Sequence, residues 1–267
     1  IPWTSANPAS AISSLNFAWD FPPSGTVSLE LDITTSPASI TATDPPAQPA
    51  TFVHNQRLRV EGVRLQFAHD NNPATPPTKT PDPALVANGL DWFRKSGPMA
   101  PCKIQYWVNP TPLQWTSELS FTSDPGGVLR STLAGMRVQG STTYDQVYGW
   151  WQGSVSGNGN SSLPGGCASP IGRGGYGNTD PARHQRTFTH ELYHNYHQVH
   201  YADGAPDVNW ACDAHPGLDT SNGQLGLVGW DTSTGTPLPS TKLDVMVPGQ
   251  VTSAAWQDAA RYSLMWN

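Results

Sequence analysis

The chain has 267 residues, 37% of them hydrophobic and 11 of them tryptophan, which is enough to bury a core in one large domain or two small ones. Only 13% are charged, against 25 glycines and 26 prolines, a loop-rich composition that excludes a helical bundle, a coiled coil or a disordered acidic tail. A net charge of −6 without any basic run argues against a nucleic-acid partner, and no apolar stretch reaches the roughly 18–20 residues of a membrane span.

Residues 1–56 read as a β-rich N-terminal extension or small accessory module. Val27, Leu29, Leu31 and Ile33 alternate with polar neighbours, and Pro45, Pro46 and Pro49 then punctuate the chain. From residue 57 the pattern predicts a strand over Leu58–Phe67, with Gly62 interrupting it as a bulge does. Asp82-Pro83 is an N-cap followed by a first-turn proline, so a helix should start there and stop at Gly97-Pro98, with Leu85, Gly89, Leu90 and Phe93 on one face. Lys103–Val108 reads as the next strand. A second Asp-Pro, at Asp124-Pro125, opens a helix carrying Val128, Leu129, Leu133 and Met136. Val147–Trp151 suits a third strand, a Gly-rich stretch runs from Gly153 to Gly177, and Asp180-Pro181 opens the next helix. The fold class expected from this order is α+β, built on one mainly parallel sheet.

Four of the eight histidines fall in the segment H-E-L-Y-H-N-Y-H-Q-V-H, from His190 to His200. Its first five residues are H-E-x-x-H. On a helix, positions four apart share a face, so His190 and His194 can reach one metal ion while Glu191 reaches its water. Zinc suits two neutral imidazoles and lowers the pKa of its water toward neutrality. In a chain of this composition the pattern is expected only about 0.004 times by chance. A catalytic zinc needs a third protein ligand, and His200 is the first candidate. On a continuing helix His190 and His200 would stand about 15 Å apart along the axis, so the chain must leave the helix after His194 and fold back. His197, Asp203 and Asp207 are the rivals.

This stretch resembles the metzincin zinc endopeptidases, whose pattern is H-E-x-x-H-x-x-G-x-x-H, with His197 standing here where the family has glycine. Leu243-Asp244-Val245-Met246-Val247-Pro248-Gly249 is similar to the Met-containing turn of that family, and Thr252–Trp266 is expected to form the helix that follows it. The resemblance covers residues 57–267, with an upper half over 57–197 and a loop-rich lower half over 198–267. It implies a secreted zinc-dependent endopeptidase that is monomeric and acts on proteins or glycoproteins. His190, His194 and His200 would bind one Zn2+, and Glu191 would act as general base and then proton donor. It also implies that an edge strand within Gly165–Gly177 binds substrate backbone above the zinc, unless that stretch is only a surface loop.

Cys102, Cys167 and Cys212 allow one disulfide and exclude a cysteine-only zinc site, and Cys167–Cys212 is the pairing first expected. A bridge, few lysines and many Pro, Ser and Thr residues suit an extracellular protein, and a start at Ile1 reads as a mature form with its targeting peptide removed. Tyr201, His197 and His215 are guesses for an oxyanion donor, since Pro248 takes the position where some metzincins place a tyrosine. His184 and His215 are remote candidates for outer ligands, while His54 and His69 suggest only surface or core. Asp203, Asp207, Asp213 and Asp219 lack the spacing of an EF-hand, so calcium is unsupported. Two rival functions remain. One is a catalytically silent module of the same fold that binds protein or glycan through a Trp-rich surface including Trp150 and Trp151. The other is a metal amidase acting on a small substrate.

Overall fold

The first two strands, β1 (Gly25–Leu29) and β2 (Gln48–Phe52), pair antiparallel inside a unit that spans Ala18–Gln56. A second unit comprises Ile1–Phe17 with Arg57–Asn267. The computed structural model describes those two strands and, from residue 57 on, all but 69–73, 75, 78, 98, 100, 118, 120–124, 140, 154–165, 169–171, 197–223, 225–228, 232–233, 235, 248–251 and 258–267.

In the second unit the chain forms β3 (Leu58–Phe67), α1 (Pro83–Ala87), α2 (Asp91–Ser96), β4 (Ile104–Val108), β5 (Leu113–Trp115) and α3 (Pro125–Gly135). A hairpin of β6 (Val138–Gln139) and β7 (Thr142–Thr143) leads to β8 (Gln146–Trp151), β9 (Gly166–Ala168), β10 (Gly174–Asn178) and α4 (His184–Asn195). Four short strands follow: β11 (Gly229–Asp231), β12 (Thr236–Leu238), β13 (Leu243–Asp244) and β14 (Ala255–Trp256). The central sheet runs β4–β3–β8–β10–β9, with β5 beside the far end of β3. Every neighbour in it is parallel except β9, which lies antiparallel to β10 at the edge. The result is an α+β domain on a mixed, mainly parallel sheet. Among the described residues no helix is long and apolar enough to cross a membrane.

Both faces of the sheet are covered: all six residues of β8 are buried, and β3 contributes Leu58 and Val60 to one core and Val63, Leu65 and Phe67 to another. Leu58 and Val60 of β3, with Tyr148 and Trp150 of β8, join one core with Val86, Phe93, Phe188 and Leu192 from α1, α2 and α4. Val63, Leu65 and Phe67, with Val147 and Trp151, join a second core with Leu129 and Leu133 of α3. Removing a large side chain such as Phe188 or Leu192 from water contributes about 1.5–3 kcal/mol each, which fixes α4 on the sheet. Trp150 and Trp151 are 0% and 1% exposed, so they are core residues and offer no binding surface.

Three other expectations need correction. Gly62 is not a bulge: the ladders on both sides of it are continuous, and a Cβ there would stand 2.2 Å from Tyr106 Oη, so the glycine makes room for that ring. The helix over 82–97 is split. Asp82 caps α1 by accepting from the Ala84 amide at 2.8 Å, but Gly89 lies in the turn against the Trp150 ring, and α2 restarts at Asp91. The expected C-terminal helix does not begin at Thr252. Thr252–Ala254 is a single 3-10 turn and Ala255–Trp256 pairs in parallel with Leu243–Asp244, which commits that backbone to a ladder. Residues 258–267 lie outside the described residues.

Candidate metal centre

A turn over residues 181–183, rather than helix, follows Asp180, which accepts from the His184 amide at 2.8 Å through its carbonyl and from the Ala182 amide at 3.0 Å through its carboxylate. Helix α4 itself begins at His184 with Arg183 as its N-cap. The helix then runs almost wholly buried to Asn195. It ends one residue beyond His194, where Tyr196 leaves helical geometry at φ −105° and ψ 32°, so the chain does depart the axis where a third ligand would require it to.

His190 and His194, 6% and 4% exposed, turn their Nε2 atoms toward each other at 3.1 Å, with the rings perpendicular. Two imidazoles on one tetrahedral zinc at about 2.0–2.1 Å would hold their nitrogens about 3.3 Å apart, so this pair fits a shared cation. The other nitrogen of His190 is set from outside the helix: Nδ1 lies 2.9 Å from the carbonyl oxygen of Val245. Arg186 Nη2 also lies 3.4 Å from Nδ1, but it donates to the carbonyls of Val245, at 2.6 Å, and Val247. Those two bonds take both of its protons. The proton between Nδ1 and Val245 therefore belongs to the imidazole, which leaves Nε2 with the lone pair that a metal ligand needs.

The turn that supplies these carbonyls contains Met246, 0% exposed and packed in the same core as Phe188 and Leu192. Asp244 shapes it by accepting from the Met246 amide at 2.8 Å through Oδ1, and from the Val247 amide at 3.0 Å through its carbonyl. Farther along α4, Tyr193 donates to Gln257, which donates to Ser96 of α2 at 2.9 Å, locking the helix to both neighbours.

Glu191 leaves the helix beside His190 and lies under the edge strand β9. A Cβ on Gly166 would stand 2.5 Å from Glu191 Oε1, and the Ala168 amide donates to the carboxylate. Burial pushes the Glu191 carboxyl up to about 8, against the opposing pull of Arg186, Arg130 and that amide. A carboxyl placed so high can hold and release a proton near neutral pH, as a general acid–base group must. The expected edge strand thus exists, and it is Gly166–Ala168. Its Cys167 lies opposite Tyr176 in register.

His200, the expected third ligand, lies outside the described residues, as do its rivals His197, Asp203 and Asp207 and also Tyr201, His215 and Cys212. Among the described residues no group of three or more His, Cys, Asp or Glu could hold an ion. Cys102 and Cys167 are not joined to each other. His184 is no outer ligand: its Nδ1 faces the Asp180 carbonyl at 3.1 Å and its Nε2 faces Asn88 Oδ1 at 2.8 Å. Sequence reasoning missed Arg186, although it sits four residues before His190 on the face that His190 and His194 share. It also missed Arg130, for which no local pattern gives a signal. No family model matches this chain, and no curated protein matches it.

Proposed function

We propose that this protein is a secreted zinc-dependent endopeptidase of metzincin type that hydrolyses peptide bonds in proteins or glycoproteins. The observation that carries the reading is the convergence of His190 and His194 Nε2 atoms at 3.1 Å beside a buried Glu191. Supporting it are the end of α4 just after His194 and the Met246 turn that abuts His190.

His190, His194 and His200 would hold the ion, which when bound supplies Lewis acidity toward the scissile carbonyl and a water acidified toward neutrality. The protein's own groups do the rest. Glu191 takes the proton of the attacking water and delivers it to the leaving amine as the C–N bond breaks. Val245 keeps His190 in the tautomer that presents Nε2. The edge strand β9, running above Glu191, is the place where an extended peptide would align.

The test is to load the parent and Glu191→Gln with zinc, confirm stoichiometry by elemental analysis, and incubate both with denatured proteins and mucin-type glycoproteins. Cleavage by the parent alone, read by mass spectrometry, is the expected result. Parent protein that takes up no zinc would remove the ligand assignment. Zinc uptake without cleavage of any substrate would favour the silent binding module.

A further inference from the structure

The helices α3 and α4 both pack on the β9–β10 strand pair, and a path of hydrogen bonds joins them through one residue of the edge strand. Arg130 of α3 donates from Nη1 to the Ala168 carbonyl at 2.6 Å. The Ala168 amide donates in turn to the Glu191 carboxylate of α4. Both main-chain polar groups of Ala168 therefore have a side-chain partner, one from each helix.

Glycine makes this reach short. A Cβ on Gly174 would stand 2.2 Å from the Arg130 carbonyl oxygen, so α3 lies directly on β10 and its arginine can reach past it to β9. On the opposite helix, a Cβ on Gly166 would meet Glu191 Oε1 at 2.5 Å and Thr187 Cγ2 at 2.6 Å, so α4 lies as close to β9. A charge-assisted bond to a carbonyl is among the stronger ones in a protein, and here it fixes an edge strand that spans only three residues, Gly166–Ala168.

We propose that Arg130 is a positioning residue for Glu191, acting through Ala168: it holds the end of β9 so that the Ala168 amide presents a fixed donor to the carboxylate. The inference rests on Glu191 being the general base of the proposed peptidase. Arg130 acts on the reaction through Ala168. Its influence is on where the carboxylate points when a water must be deprotonated, so it should govern turnover more than substrate affinity.

The experiment compares Arg130→Met and Arg130→Lys with the parent, using Ser131→Ala on the exposed side of α3 as the control. Amide hydrogen exchange of Ala168 is followed in the metal-stripped protein, and kcat and KM in the zinc-loaded one. In Arg130→Met the Ala168 amide should exchange at least about tenfold faster, with the Tyr176 and Leu133 amides unchanged, and kcat should fall about 10–100-fold at nearly constant KM. Lysine should recover much of both, and Ser131→Ala should match the parent. Unchanged Ala168 exchange, or a loss expressed in KM with kcat intact, would overturn the proposal. A parent that cleaves nothing, while Ala168 exchange still follows Arg130, would instead overturn the peptidase reading and leave the linkage standing.

Discussion

Arg186 and His190, one turn apart on α4, converge on a single acceptor: the Val245 carbonyl oxygen lies 2.6 Å from the guanidinium and 2.9 Å from Nδ1 of the imidazole. The side of the helix that carries His190 is thereby bound to the Met246 turn through its backbone, and Arg186 is 4% exposed. Burial pulls the Arg186 guanidinium down to about 10, which still leaves it charged at neutral pH.

Replacing Arg186 by methionine leaves the Val247 carbonyl without its donor and frees the turn. The expected cost is about 1–3 kcal/mol of stability and about 10–100-fold in zinc affinity. Urea unfolding and competition against a chromogenic chelator would measure the two. An unchanged zinc affinity in a folded Arg186→Met variant would show that the turn does not hold His190 in place.

Two glycines give opposite expectations for the same substitution. Gly166→Ala sends a methyl group against Glu191 Oε1, so peptide hydrolysis should fall about 100-fold through displacement of the carboxylate. Gly135→Ala, in the last position of α3 with nothing within 4 Å of the new Cβ, should stabilise the protein by about 0.5–1 kcal/mol and leave hydrolysis alone. Urea midpoints with specific activities decide both.

His184 predicts the acid limb of stability. Burial lowers its pKa below the ordinary 6.5, against the raising influence of Asp180 and Asp91. The unfolded chain then binds the proton more readily, so stability is present above about pH 6.5 and is lost as pH falls through the lower folded value. The drop in urea midpoint between pH 7.5 and 5.5 should be smaller in His184→Gln, which keeps a donor for Asn88.

Glu191 acts in the opposite sense in the metal-stripped protein. Its folded pKa of about 8 stands above the ordinary 4.5, so the folded state binds the extra proton and stability declines as pH rises through that interval. Glu191→Gln removes the decline, and its stability advantage over the parent should be larger at pH 8.5 than at pH 5. Equal differences at the two pH values would place the carboxylate in water rather than under β9.

Local pattern told where the histidine-bearing helix would be. The alternation over Leu58–Phe67 and the Asp-Pro pairs at 124–125 and 180–181 each lie at or just before an element the structure contains, because periodicity and turn chemistry act over a few residues. What the pattern did not tell depends on distant partners. Trp150 and Trp151 are buried because β3 and β10 flank β8 and helices cover it on both faces, which their own neighbours in sequence do not encode. Ala255–Trp256 lies in a stretch with helical spacing but is claimed by β13. Arg130 finds its acceptor 38 residues away and Arg186 finds its own 59 away, so neither could be seen from the H-E-x-x-H segment alone.

Gly166 and Gly174 sit on adjacent strands and open opposite sides of the pair, one toward α4 and one toward α3. Neither position has room for a single added carbon without moving a neighbouring element. In any other sequence, two glycines spaced as these are and set ahead of an H-E-x-x-H helix would mark the same three-layer clearance. The absence of side chains, rather than the histidines themselves, would then be the feature by which a distant chain of this architecture could be picked out.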